Sequence, residues 1–159
     1  MCLGPSKITT EHNYIASNDN TMVPLVLLKD ETYLLRRCAR YDWDSVERFC
    51  DTITKMLSSS TTDDVYILDG LKQLVATDDE GNTALHIACF HEPPLQIIHK
   101  LLQVAANAPT GPIQIHLMKN AMDEMPLSIA STYGAPKNTL ACLMYASLLT
   151  NSMDTVQCN

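Results

Sequence analysis

Four side chains that could bind a metal or support nucleophilic chemistry lie close together in the chain: His86, Cys89, His91 and His99. His86 and Cys89 are three apart, so a helix would place them on one face, as an imidazole–thiolate pair of ligands requires. A structural zinc site needs four ligands, usually including a C-x-x-C pair, and no such pair accompanies them. The same residues could form a thiol nucleophile and its base, which requires an accessible cysteine, a neighbouring base and a third group to orient it. Cys89 instead falls where two helices would meet, a setting for a packed thiol. Asp78-Asp79-Glu80 supplies carboxylates but lacks the full D-x-[DN]-x-[DN]-G-x₅-E spacing of a calcium loop. Neither G-x-x-x-x-G-K-[ST] nor G-x-G-x-x-G occurs, so no phosphate cradle is expected. The expectation is no metal, no cofactor and no catalysis.

The element that must hold these groups begins with a turn. Asp78 can accept backbone N–H groups and close it. Gly81 supplies a positive φ without steric cost. Thr83 is placed to cap the following helix, with Ala84 at its first position. Leu85, Ala88 and Cys89 then share one helix face. Pro93-Pro94 ends that helix and opens the next, where Ile97, Ile98, Leu101, Leu102 and Ala105 form an apolar stripe. A shift of 42 residues carries Leu85 onto Leu127, Ile87 onto Ile129, Ala88 onto Ala130, Pro94 onto Pro136 and Leu101 onto Leu143. Helix starts, breaks and core positions thus coincide in two segments. Upstream, Leu35, Cys38, Ala39, Val46 and Phe49 give a weaker third match without a turn of its own, with Asp42 or Asp44 capping its second helix. The single Trp43 reads as a packing or edge residue of this unit.

The stretch Thr83-Ala84-Leu85-His86-Ile87-Ala88 resembles the T-P-L-H-x-A signature of the ankyrin repeat. The resemblance covers about three helix pairs across residues 31–150. It implies an all-α, ankyrin-type solenoid of about three helix-turn-helix repeats with long inter-repeat loops, and it reads His86 as a turn stabiliser. The last unit departs from the family pattern: Asp123 stands for Gly, Met125 for the capping Thr and Ser128 for His, while Pro126 fits the first helical position.

A repeat of this kind implies a protein–protein interaction module whose concave face is lined by the turn tips and the ends of the first helices. Carried over by position, the middle unit offers Asp79, Glu80, Asn82, Phe90 and His91. The last offers Met122, Glu124, Thr132 and Tyr133, and the first offers Arg40 and Tyr41. In this superposition Tyr41, His91 and Tyr133 share one repeat position, with Phe90 beside them. Rings flanked by acidic tips suit a protein or peptide partner with apolar anchors and basic neighbours. The alternative use of these residues is to pack against the extra loops at 58–75 and 107–117. A second functional reading is a structural arm or fragment of a larger assembly, joined through an apolar flank of Leu140, Leu143, Met144 and Leu148. A Cys/His enzyme ranks last.

Composition narrows the partners. The chain has 159 residues, 46% of them hydrophobic, enough for one domain with a real core. Its formal charge of −7 disfavours nucleic acid and anionic membrane surfaces as partners. No apolar run approaches the roughly 20 residues of a membrane span. Six irregularly spaced cysteines read as reduced, buried thiols of an intracellular protein, cytoplasmic rather than nuclear. The expected organisation is a partly ordered leader at 1–29, the repeat domain at 30–150 and a flexible tail at 151–159. Within it, 58–64 reads as a polar loop, and Val65–Val75 as an apolar stretch of undecided type.

Overall fold

Local polar chemistry sets where each helix begins. Asp30 accepts the Thr32 N–H and hydroxyl through its carboxylate and the Tyr33 N–H through its carbonyl, starting α1 at Tyr33–Ala39. Asp42 accepts the Ser45 N–H at 3.2 Å and caps α2, Trp43–Ser58, while also pairing with Arg37. Thr83 caps α4, Ala84–Phe90, from extended backbone at φ −79° and ψ 170°. Pro94 precedes α5, Leu95–Ala106, and Pro126 opens α6, Pro126–Thr132. The remaining helices are α3, Asp64–Val75, and α7, Lys137–Asp154.

The computed structural model describes residues 14–16, 22–24, 30–58 and 64–154, of which 14–16, 22–24, 64 and 150–154 are described by backbone alone. The fold is all-α, with seven helices among these residues. Tyr14–Ala16 and Met22–Pro24 add a short antiparallel ladder that pairs Ile15 with Val23. Most of the expected leader and the 59–63 part of the polar loop lie outside the described residues. Helix α7 continues to Asp154, into the segment expected to be tail.

Three helix pairs lie side by side. Helices α1, α4 and α6 contact one another in sequence, and α2, α5 and α7 do the same in a second layer. The core runs between the layers. Leu34 and Cys38 from α1, Leu85, Ala88 and Cys89 from α4, and Ile129 and Ala130 from α6 meet Phe49, Ile53, Ile98, Leu101 and Leu143 from the second layer. Lys100 on α5 ties the layer together by bridging Glu47 and Asp51 of α2.

The undecided stretch is helix α3. It packs on α1, α2, α4 and α5 through Ile67, Leu71 and Leu74. Its fully buried Gln73 accepts the Leu34 N–H at 3.2 Å, satisfying a donor at the start of α1 that no residue within α1 could serve.

The structure moves the register of the first pair by one residue. α1, α4 and α6 are each seven residues long, and their C-caps are Arg40, His91 and Tyr133. Leu34, not Leu35, therefore corresponds to Leu85, and Arg40, not Tyr41, to His91. Ala39 is accordingly exposed like Phe90 rather than packed in the core.

Candidate functional site

The Asp78 turn is built from one carboxylate. Asp78 Oδ1 accepts the N–H of Asn82 at 2.7 Å and of Glu80 at 3.1 Å, and the backbone N–H groups of Asp78 and Gly81 close the loop. Gly81 adopts φ +77°. Forty-two residues on, Asn120 does the same with its amide oxygen, taking the N–H of Glu124 and of Met122 at 3.0 Å each, and Asp123 takes the positive φ of 63°.

The two turns are joined directly. The Ala121 N–H donates to the Glu80 carbonyl at 2.9 Å, and Asn120 Nδ2 donates to Asn82 Oδ1 at 3.0 Å. His86 bridges them as well. Its Nδ1 accepts the Thr83 N–H at 3.1 Å, which makes Nε2 the protonated nitrogen, and Nε2–H donates to the Glu124 carbonyl at 3.1 Å. Burial holds this imidazole below its ordinary pKa, against the opposing pull of the Glu124 and Met118 carbonyls.

The ring residues form one continuous ladder. The Tyr41 and His91 centroids lie 4.3 Å apart, His91 and Phe90 4.8 Å, and Phe90 and Tyr133 4.4 Å. Trp43 extends it at 6.3 Å from Tyr41, edge to face. At these separations neighbouring rings are in direct contact. Yet Tyr41, Phe90 and Tyr133 remain 58%, 45% and 51% exposed. Tyr41 joins from one residue beyond its helix cap, where φ +59° swings it toward His91. Burial lowers the His91 pKa, favouring the neutral ring.

Between ladder and turn lies an open pocket of about 280 Å³. Its apolar lining comes from Ala39, Ile87 and Ile129, its rings from Phe90 and His91, and its polar edge from Asp78, Asn82 and His86. Neither 64–75 nor 107–117 contributes to the lining.

The other expected face residues are spread out. Asp79, Glu80 and Met122 are exposed at the turn tips, and Arg40 and Thr132 are exposed at helix ends. Asn82 and Glu124 serve mainly the turns themselves. Five lining residues, Ala39, Asp78, His86, Ile87 and Ile129, were not expected on this face. Ile87 and Ile129 match under the 42-residue shift, so their common position was visible in the sequence, though not its direction.

The groups that first suggested chemistry are separated. Cys89 is buried, and desolvation pushes its thiol up to about 12, so it stays protonated at neutral pH. Cys50 is likewise pushed up to about 12, and Cys38 is raised further by burial. Among the described residues, no three His, Cys, Asp or Glu side chains are grouped to hold a metal ion, and no helix is long and apolar enough to cross a membrane. No protein-family model, curated protein or solved structure matches this chain.

Proposed function

We propose that this chain is an ankyrin-type stack of three helix pairs that acts as a protein–protein interaction module without catalytic activity. The observation that carries the reading is the exposed ring ladder Tyr41–His91–Phe90–Tyr133, which crosses all three pairs beside an open pocket. Rings that stack on one another yet stay about half exposed are already positioned, so docking a partner on them costs little ordering entropy. The paired turns support the stack, since the first is hydrogen-bonded directly to the second, as neighbouring units of a repeating array require. Asp79 and Glu80, exposed and without an ion pair among the described residues, give the rim a negative potential suited to a basic partner.

The test compares proteins captured by the wild-type chain with those captured by a Tyr41→Ala, Phe90→Ala, Tyr133→Ala variant. The three rings are exposed, so the variant should keep its helical circular dichroism. Selective loss of particular captured proteins is expected. Equal recovery of every captured protein by both forms would remove the ladder as a binding face.

One observation favours a second reading, the arm of a larger assembly. Met144, Tyr145, Leu148 and Leu149 are all more than half exposed on the outer side of α7. Leu140 and Leu143 turn inward instead, so the apolar flank is shifted from its expected position. A sedimentation mass above that of the monomer, restored to monomer by Met144→Glu with Leu148→Glu, would support assembly. A wild-type monomer at high concentration would oppose it.

A further inference from the structure

We propose that the pocket between the Asp78 turn and the ring ladder takes an arginine side chain from an extended segment of the partner, an inference that rests on the interaction-module reading above. The volume, about 280 Å³, lies just below the small-molecule range of roughly 300–1,000 Å³ and suits one long side chain rather than a folded element. The lining changes character from one side to the other. Ala39, Ile87 and Ile129 offer apolar surface for a methylene stem, and Phe90 and His91 offer rings on which a planar guanidinium stacks. Asp78 supplies the charge at the polar edge.

The hydrogen-bond count at Asp78 leaves room for a ligand. Oδ1 is occupied by two backbone N–H groups, but Oδ2 receives only the Asn82 side-chain amide at 3.2 Å. A carboxylate oxygen can accept two hydrogen bonds, so Oδ2 retains capacity. No cation among the described residues is paired with Asp78, Asp79 or Glu80. His86 directs its one N–H away to the Glu124 carbonyl, and burial keeps both pocket histidines neutral.

Two of the three arginines around the end of α1 are already neutralised. Arg36 pairs with Asp30 and Arg37 with Asp42, and Arg40 follows Ala39 at the end of α1. Asp78, with no cation paired to it among the described residues, leaves the turn side of the pocket negative, and a cation is drawn there. A carboxylate would be repelled there, and a wholly apolar side chain would desolvate Asp78 without replacing its water. Arginine satisfies both halves of the lining at once, through stem and ring contacts and through its planar fork.

The two turns supply the test variant. Asn120 organises its turn with an amide oxygen in the role Asp78 plays with a carboxylate, so Asp78→Asn removes the charge and keeps the acceptor that shapes the loop. Phage-displayed random dodecapeptides are selected on the wild-type chain. Enriched peptides are then labelled and titrated by fluorescence anisotropy against wild type, Phe90→Ala and Asp78→Asn, with the fold of each variant checked by circular dichroism. The expected result is a shared arginine in the peptides and at least a tenfold loss of affinity in Phe90→Ala. A loss of about tenfold in Asp78→Asn is also expected, as for one charge-assisted hydrogen bond. Peptides that depend on Phe90 but lack arginine, or ignore Asp78→Asn, overturn the arginine assignment and leave the interaction reading standing. If no enriched peptide depends on Phe90, the face itself is wrong and the assignment falls with it.

Discussion

The Asp78–Asn82 and Asn120–Glu124 turns share a hydrogen-bond pattern and almost no residues. Both close on a side-chain oxygen at the first position and pass through a positive φ at the fourth. They differ in what surrounds them. The first turn has the second hydrogen-bonded against it through the Ala121 N–H, and its helix sends His86 across to that neighbour. The second has no further turn of this kind after it among the described residues. The residues follow from that difference. The crowded turn carries Gly81, Thr83 and His86, and the open one tolerates Asp123, Met125 and Ser128. The residues that differ between the two turns thus follow the presence or absence of a neighbouring turn.

The largest effect should come from breaking the crowded turn at Gly81. A Cβ there would stand 2.9 Å from the Ala121 backbone nitrogen, in a backbone conformation of φ +77° that side chains rarely adopt. Gly81→Ala should therefore destabilise by about 2–4 kcal/mol, combining strain with loss of the hydrogen bond between the turns. Asp123→Ala at the equivalent position should cost no more than about 1 kcal/mol, since only the positive φ and an exposed ion pair with Lys119 are at stake. Urea unfolding of both variants checks this. Equal losses would mean that contact between the turns contributes nothing beyond local strain.

Next comes His86. Replacing it by Leu leaves the buried Thr83 N–H without its partner, at about 1–3 kcal/mol, and takes from the Glu124 carbonyl one of its two donors, the Asn120 N–H remaining. Ser128→Ala, at the matching place in the exposed helix position of α6, should change stability by no more than about 0.5 kcal/mol. A midpoint for His86→Leu within error of wild type would contradict the bridging role.

The turns and first helices were legible because their causes are local. Asp78, Gly81 and Thr83 each act on backbone within a few residues, and Pro94 and Pro126 mark helix starts by their own geometry. What escaped depended on distant contacts. Helix α3 holds Gly70 in its interior and has no clean period, and it is held by Leu71, Leu74 and the Gln73 bond to α1. Tyr33, Leu34 and Leu35 are all buried, so hydrophobicity alone could not set the phase of α1. In α7 apolar residues occur on every side, and only packing against α5 and α6 selects Leu143 for the core and leaves Met144 outside. The ring ladder was read from a register one residue out for Tyr41. The ring arrived nonetheless, because its positive φ redirects it across the gap. Asp78 was assigned to the turn alone, since one carboxylate serving both loop and pocket has no sequence signal.

Acid should act on the comparison through the histidines. His86 and His116 are buried, burial lowers both pKa values, and His116 Nε2 has no hydrogen-bond partner among the described residues. The unfolded chain takes up protons near pH 6.5, where the folded chain refuses them. Stability is thus fully present above about pH 6.5 and falls as pH drops below it, by up to about 1.4 kcal/mol per pH unit for each such histidine. With His91, whose pKa burial also lowers, three histidines contribute; His116→Phe removes one of them and should flatten the decline between pH 6.5 and 5. Urea midpoints across that range measure it. An unchanged slope would show that His116 protonates as readily in the fold as outside it.

The smallest effect would come from repairing the open turn. Met125 sits at φ −88° and ψ 159°, nearly the backbone of Thr83, but brings no side-chain hydrogen bond to α6. Met125→Thr supplies a hydroxyl that can accept an N–H of the first turn, a gain of about 1 kcal/mol. Met125 is half-buried, so the loss of its apolar contact offsets part of that. A net gain of about 0.5 kcal/mol, read as a raised urea midpoint with an unchanged slope, is the expected outcome. A fall would mean that methionine is held at this cap by packing under the turn. The missing Thr would then reflect what lies beneath Met125, and the openness of this turn would not account for it.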